Sequence, residues 1–288
     1  MQGTEKKNRN HPQGGVTACC SRSLMKLAVT SAFLLSPFDF SRAEHPFITD
    51  DTGTQGKGNW QLELQGDFLR DKRTAGGVEQ KNRANVYTSV LSYGLLENLD
   101  LQVGVGYLAT RSSVSGATVS DESGMSDSTI ELKWRFYEAN DLSLGLKPFV
   151  TLPTGNEDRG LGTGKSSWGI ALLATWEAEP WTFLGNIAYS HVRFNLPQDA
   201  ADGRSDLWRV SGGAAYELTE GWRLVGELGL RSNESRNDAF LPDSTSQFGM
   251  LGVIWSPTKK MDLDAGFRKN FNRAEFDKAY LVGATFRW

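Results

Sequence analysis

The sequence is poor in cysteine, histidine and long apolar segments, and each shortage excludes a class of protein. Its 288 residues include only two cysteines, Cys19 and Cys20, and three histidines. No stretch approaches the roughly 18 consecutive apolar residues that a transmembrane helix requires. A bundle of membrane-spanning helices is therefore excluded.

A strong excess of charge of one sign is also missing. The chain has 31 Lys and Arg against 34 Asp and Glu, a formal net charge of −3, and no block of basic residues. Nucleic-acid binding depends on neutralising phosphates with Lys and Arg. We therefore expect no nucleic-acid partner.

The first 43 residues have the pattern of an upstream segment and a signal peptide. Residues 1–24 are polar and irregular, Met25-Lys26 gives a short basic start, residues 27–35 are apolar, and Ser41-Arg42-Ala43 supplies small residues. This order is typical of a cleaved export signal. We expect residues 1–43 to be removed, with translation beginning at either Met1 or Met25. Removal takes both cysteines, which excludes disulfides, a catalytic cysteine and a Cys-ligated zinc from the exported chain.

The remaining chain alternates between apolar and polar residues. Residues 99–107 place Leu, Leu, Val, Val and Tyr at odd positions and Asp, Gln, Gly and Gly at even ones. A period of two is the pattern of a strand with two different faces. Segments 85–94 and 246–256 alternate poorly, and we assign no facing there. The same alternation recurs at 60–68, 130–136 and 222–231.

Twelve strands can be counted, and their connections alternate in length. The tight connections, such as 97–98 and 179–180, separate longer, polar, glycine-rich ones. This is the pattern of an all-β, single antiparallel transmembrane β-barrel with short periplasmic turns and longer extracellular loops. We assign the barrel to 58–288 and a periplasmic leader to 44–57. The predicted strands are 58–70, 83–94, 98–111, 127–138, 141–153, 166–177, 181–194, 205–218, 222–233, 244–256, 261–271 and 277–288, and the predicted long loops are 71–82, 112–126, 154–165, 195–204 and 234–243.

Tryptophan positions favour the same fold. Six of the nine tryptophans fall at strand ends beside tight turns or the C-terminus, while Trp168 and Trp208 fall at opposite strand ends. Indole rings prefer the membrane–water boundary, so a barrel has two aromatic girdles. The alternative, an exported β-sandwich, would not sort Trp by strand end. We expect a bacterial outer-membrane location, with membrane lipid and lipopolysaccharide as neighbours. The last strand ends on Trp288, a pattern that resembles the signal read by the barrel-assembly machinery.

Four segments resemble one known family. They are the opening His-Pro-Phe-Ile-Thr-Asp-Asp-Thr-Gly-Thr-Gln-Gly at 45–56, Leu-Pro-Thr-Gly at 152–155, Gly-Leu-Gly-Thr-Gly-Lys at 160–165, and the close Phe-Arg-Trp at 286–288. The sequence is similar, over essentially 44–288, to a family of outer-membrane transporters of the MetA pathway of phenol degradation. The resemblance implies a channel through which small, often aromatic or hydrophobic, solutes cross the outer membrane.

An enzymatic barrel is the main alternative, because Ser190-His191 could suggest a lipid-modifying hydrolase. Adjacent strand residues point to opposite faces, so these two cannot act together as nucleophile and base. We therefore expect no enzyme, although a serine on another strand keeps that alternative open, as does a structural or surface-binding barrel. The acidic runs 156–158 and 50–51 lack the spacing of a known calcium loop. We expect neither a metal site nor a cofactor.

Two hypotheses concern the barrel interior. The leader carries Asp50 and Asp51 and is long enough to fold inward and narrow the periplasmic mouth; a solvated leader is the alternative. The charged residues, which occupy alternate positions along the strands, should line the lumen, because a Lys or Arg facing lipid at the membrane centre costs about 2–4 kcal/mol. These charges either select what passes or form a bracing network. They are Glu63, Asp67, Glu131, Lys133, Arg135, Lys147, Arg209, Glu217, Arg223, Glu227, Asp262, Asp264 and Arg268.

Overall fold

The computed structural model of the protein describes residues 45–236 and 240–288. The predicted signal peptide lies outside the described residues. Helix α1 (Pro197–Asp202) and a 3-10 turn (Glu157–Arg159) lie in loops, and all other regular structure is antiparallel strand. The strands are β1 Trp60–Ala75, β2 Val78–Leu96, β3 Leu99–Val114, β4 Ala117–Met125, β5 Ser128–Ala139, β6 Leu142–Leu152, β7 Ser167–Ala178, β8 Trp181–His191, β9 Asp206–Thr219, β10 Trp222–Ser232, β11 Thr245–Thr258, β12 Met261–Asn270 and β13 Lys278–Arg287.

The strands form one closed barrel. Strand β13 pairs with β1 along ten residues, and β2 pairs with both β1 and β3, so the sheet has no open edge there. Strand β5 pairs with residues 99–104 of β3, and β4 pairs with residues 107–114 of the same strand. Only Ser126 and Asp127 separate β4 from β5. Together β4 and β5 make a single interrupted spanning strand, which gives twelve around the barrel. The predicted all-β antiparallel barrel is confirmed. Among the residues described, no helix is both long and apolar enough to cross a membrane.

The two faces of the wall differ as a lipid-embedded barrel requires. Outward positions carry large apolar side chains, of which Leu251 and Leu228 are 74% and 66% exposed. Inward positions are buried and largely polar, for example Gln61, Gln102 and Thr129. Exposed apolar area of this extent would be costly in water and is stabilised by acyl chains.

Two predicted loops are wrong, because most of 71–82 and 112–126 is strand. The β1–β2 hairpin turns at Gly76 and Gly77, and the β3–β4 hairpin turns at Ser115 and Gly116, all four with positive φ. In these hairpins the buried inward residues, such as Asp71, Gln80 and Ser112, are polar, and so are the outward ones. Polar residues then occupy both parities, and the alternation by which strands are recognised disappears.

Strands β2 and β11 alternate poorly because part of the lumen is apolar. Their inward residues include Val86 and Val90 on β2 and Phe248, Met250 and Ile254 on β11, all buried. Several of these belong to one buried cluster on the inside of the barrel. Apolar residues therefore face both lipid and lumen along these strands.

Candidate functional site in the barrel lumen

Most of the leader, here residues 45–57, lies inside the barrel, and residues 45–50 are all buried. Phe47 and Ile48 are completely buried, and the chain crosses from the β12–β1 side of the wall towards β3. The leader contacts Glu227, five residues along β10 from the periplasmic end at Trp222. At a rise of about 3.3 Å and a strand tilt near 40°, this is about 13 Å into the membrane. The crossing is deeper than the periplasmic mouth expected from the sequence.

His45 fixes the start of the leader between two strands. Its Nε2 lies 3.2 Å from Oδ1 of Asp67 on β1, and its Nδ1 is hydrogen-bonded to Asp264 on β12. Burial alone would lower the pKa of His45, but hydrogen bonds and charge attraction from Asp264 and Asp67 raise it above its usual value. His45 therefore links two carboxylates of the barrel wall.

Glu227 on β10 holds the next two residues. Its carboxylate accepts hydrogen bonds from the backbone N–H groups of Ile48 at 2.9 Å and Thr49 at 2.8 Å. The Thr49 hydroxyl donates to the same carboxylate at 2.6 Å. Because a strandless segment inside a barrel must satisfy its backbone donors by side chains, Glu227 is a backbone anchor.

Asp50 is the most heavily bonded residue of the leader. Its carboxylate accepts from Nζ of Lys133 on β5 at 2.9 Å and from Nζ of Lys147 on β6 at 2.6 Å. Asn186 on β8 accepts from its backbone N–H at 2.6 Å and donates to its carbonyl at 2.8 Å. Burial raises the pKa of Asp50, but the two ammonium groups outweigh it and lower the pKa below its usual value. Asp50 is therefore ionised.

Additional acids balance the two lysines. Asp51 lies 2.6 Å from Nζ of Lys133, and Glu131 lies 2.9 Å from Nζ of Lys147. Lys133 is thus paired with two carboxylates of the leader, whereas Lys147 is shared between Asp50 of the leader and Glu131 of the wall. Buried charges at this separation are tolerated only when paired in this way.

The end of the leader descends to the periplasmic rim. The backbone N–H of Thr52 donates to Thr175 at 3.0 Å, and its hydroxyl lies 2.5 Å from that of Ser143. Farther on, the backbone N–H of Gln55 donates to Asp100 at 3.0 Å. Each of these contacts joins the leader to another strand.

Glycines on the inward face make room for the leader. A Cβ built on any of four of them would come within 2.6–2.8 Å of His45, Pro46 or Phe47. Such distances are too short for ordinary side-chain contact, so the cradle depends on the missing Cβ atoms. These glycines are Gly213, Gly252, Gly266 and Gly283.

The extracellular half of the lumen is also occupied. The loop 271–277 folds towards it, burying Ala274 and placing Glu275 beside Arg231, whose Nε donates to it at 2.8 Å. Arg73 pairs with Asp71 at 2.6 Å and donates to the carbonyl of Glu275. The lumen is therefore filled above the leader as well as at its level.

Most of the thirteen predicted lumen charges are buried on the inward face. Arg135 and Arg223 are only partly buried, and Glu217 is exposed near the periplasmic end of β9. The ten buried residues are Glu63, Asp67, Glu131, Lys133, Lys147, Arg209, Glu227, Asp262, Asp264 and Arg268. Five of them contact the leader directly, and selection of solutes by this set stays a prediction.

Sequence reasoning missed several leader partners. Asn186, Thr175 and Asp100 bind the leader but were not predicted, nor was His45 as an anchor. All three wall residues lie on the inward parity of their strands, which is the one signal that could have identified them.

Neither enzymatic nor metal chemistry is assembled at the candidate positions. Ser190 is buried and faces the lumen, whereas His191 is partly exposed on the outward face and hydrogen-bonds Asp206 at 3.0 Å. A nucleophile and base must be within hydrogen-bond reach, and these two are on opposite faces. In the part of the chain that the structure describes, no three His, Cys, Asp or Glu side chains are grouped to hold a metal ion.

Comparisons with known proteins agree with this architecture. A family model described as "Putative MetA-pathway of phenol degradation" matches residues 45–288. An outer membrane channel from Pseudomonas putida F1 superposes with a TM-score of 0.57 at 20% identity, covering 82% of this chain and 97% of that one. The NanC porin aligns with a TM-score of 0.51 at 10% identity, covering 78% and 98%. The translocator domain of the autotransporter NalP from Neisseria meningitidis gives 0.50 at 14%, covering 82% and 91%. No curated protein matches the chain.

Proposed function

Because this chain belongs to the family described by the MetA pathway of phenol degradation, we propose that it is an outer-membrane channel for small molecules, with the leader as a removable constriction. The observation that carries the proposal is the leader itself. It crosses the lumen at mid-membrane depth and is held by ion pairs and hydrogen bonds to side chains of the wall. Displacing it breaks no strand-to-strand hydrogen bond, so the lumen can open at the level of the leader without unfolding the barrel.

The lining suits small solutes with both an apolar and a polar part. Phe47 joins an apolar cluster with Leu108, Val225 and Met250, while the Lys133 and Lys147 ion pairs lie in the same lumen. Paired charges of both signs favour a polar passage over an ion filter of a single sign. We propose that aromatic or hydrophobic small molecules are the cargo, which is also what membership of the family suggests.

Deletion of residues 46–56 tests the proposal. Purified wild-type and deleted barrels are compared in planar bilayers, after heat-modifiable gel migration has established that both are folded. We expect a higher single-channel conductance for the deletion, because the leader no longer occupies the lumen. A folded deletion with the wild-type conductance would overturn the proposal and favour a structural barrel.

Cargo class is tested on the deleted channel. We expect millimolar benzoate to block its ion current and acetate at the same concentration to leave it unchanged, because only the former has a ring for the apolar cluster. Equal effects of the two carboxylates would contradict the proposed preference for aromatic solutes.

A further inference from the structure

The outer surface carries a row of cations that the channel does not use. Five residues on five adjacent strands lie directly opposite one another in the pairing register, and all point away from the lumen. This set, here called the cationic row, is Lys269, Lys278, Arg70, Arg83 and Arg111 on β12, β13, β1, β2 and β3.

The row lies at one membrane boundary. Ten residues of β1 separate Arg70 from Trp60, whose ring contacts Tyr93 at the periplasmic end. At about 3.3 Å per residue and a tilt near 40°, Arg70 is about 25 Å above Trp60, which is the height of the outward apolar band of such barrels. Arg70, at the centre of the row, is therefore at the level of outer-leaflet headgroups.

Aromatic rings lie immediately below the row. Phe267 and Tyr280 pack with ring centroids 5.4 Å apart, and Phe68 and Tyr87 pack at 6.0 Å. Tyr280 is two residues from Lys278 on the same face of β13. Aromatic rings mark the interface between acyl chains and headgroups, so the cations directly above them face headgroups.

The protein leaves the middle of the row without counter-charge. Like charges directly opposite each other on paired strands are destabilising. Arg111 and Lys269 at the two ends have acidic neighbours, Asp121 and Asp277. Within residues 45–236 and 240–288, Arg83 and Lys278 have neither an ion pair nor a side-chain hydrogen bond, so these two cations remain available to an external anion.

A cationic cavity adjoins the row. Strand β13 starts only at Lys278, so a notch remains between the protruding β1–β2 hairpin and the loop 271–277. This cavity of about 550 Å³ is lined by Lys72, Arg73, Lys269 and Arg273, with Asp277 as its one acidic lining residue. The opposite flank differs, since its outward residues at the ends of β7, β8 and β9 are Trp168, His191 and Asp206.

We propose that the cationic row and this cavity bind the phosphorylated sugar headgroup of lipopolysaccharide. Phosphates accept several charge-assisted hydrogen bonds at once, and cations about 4.8 Å apart on neighbouring strands can contact the same phosphate. Position above the aromatic rings distinguishes a lipid headgroup from free phosphate, because acyl chains attached to the same molecule cover the apolar face below. The inference rests on the proposed outer-membrane location and is independent of channel activity.

The test compares lipid binding by purified full-length protein in detergent. Bisphosphorylated lipid A is titrated against wild type, against Arg83→Gln/Lys278→Gln, and against Lys259→Gln/Lys260→Gln, whose two lysines are exposed in the β11–β12 turn at the periplasmic end. Each cation near an anionic headgroup contributes about fivefold in affinity, so the first variant should bind about 30-fold more weakly and the second as wild type. Heat-modifiable migration verifies that all three are folded.

Three further measurements separate the sources of binding. Arg83→Lys/Lys278→Arg keeps both charges and should restore binding, and lipid A lacking phosphates should bind wild type about as weakly as the double Gln variant binds the phosphorylated form. Millimolar inorganic phosphate should not displace lipid A. Unchanged affinity of Arg83→Gln/Lys278→Gln, equal binding of dephosphorylated lipid A, or full displacement by inorganic phosphate would each overturn the proposal.

Discussion

Replacing Asp50 with Asn should release the leader while leaving the barrel intact. Asp50 accepts charge-assisted hydrogen bonds from Lys133 and Lys147, each of which contributes about 1.5–3 kcal/mol. The uncharged Asn oxygen can still accept one hydrogen bond from an ammonium group, so the net loss is about 2–3 kcal/mol. That loss increases the undocked population about 30- to 150-fold.

While the leader of this variant is docked, neither wall lysine is unpaired, because Lys133 keeps Asp51 of the leader at 2.6 Å and Lys147 keeps Glu131 of the wall at 2.9 Å. The larger penalty of about 3–5 kcal/mol for an isolated buried charge therefore does not apply. We expect normal folding, with the effect confined to leader docking.

The measurement is the fraction of time that single channels spend in the high-conductance state at neutral pH. Asp141→Asn serves as the control, because it removes the same charge from an exposed position in the β5–β6 turn. Cleavage of the leader by added protease gives an independent readout of undocking. If folded Asp50→Asn channels open no more often than Asp141→Asn channels, the docked leader is not the constriction.

Three other perturbations act on the same segment. The pKa of His45 is raised, so its protonated form stabilises docking below its ordinary pKa near 6.5, and that contribution disappears as pH rises through the higher folded value. Channel opening should therefore increase as pH rises in wild type, and His45→Phe should lose this dependence. If wild-type opening does not change with pH, the ion pairs of His45 do not hold the leader. Phe47→Ala removes a completely buried ring and should weaken docking by about 3–5 kcal/mol, seen as faster proteolysis of the leader. If the leader is cleaved at the same rate in Phe47→Ala and in wild type, the ring does not stabilise docking. In Gly94→Ala the new Cβ would lie 1.8 Å from the carbonyl oxygen of Gly56, so the variant should melt at a lower temperature than Gly185→Ala, where no atom lies within 4 Å; equal melting temperatures would show that the rim can move aside.

The barrel was predictable from sequence wherever the two faces of a strand differ in polarity. Strands such as β3 and β5 face lipid on one side and a polar lumen on the other, so period two is visible. Strands β2 and β11 border the apolar cluster, and their facing could not be assigned. The hairpins that turn at 76–77 and 115–116 were predicted as loops for the converse reason, because both of their faces are polar.

The candidate site was predictable as a set of charges but not as an arrangement. The cost of exposing a charge to lipid predicts that Lys133 and Lys147 point inward, but it does not identify their partners. Their partner Asp50 lies 83 and 97 residues away, and Glu227 lies 178 residues from Thr49. Parity determines which way a side chain points, whereas the three-dimensional path of a strandless leader depends on contacts with seven or more strands at once.

The dispersed contacts of the leader impose an order on assembly. Its binding positions come from β1 near one end of the chain, from β12 near the other, and from strands between them. Because His45 binds both Asp67 on β1 and Asp264 on β12, its complete binding site exists only after β13 has joined β1 to β12. The leader is therefore the earliest part of the described chain and the last to reach its native place, and an unclosed barrel should expose it to proteases.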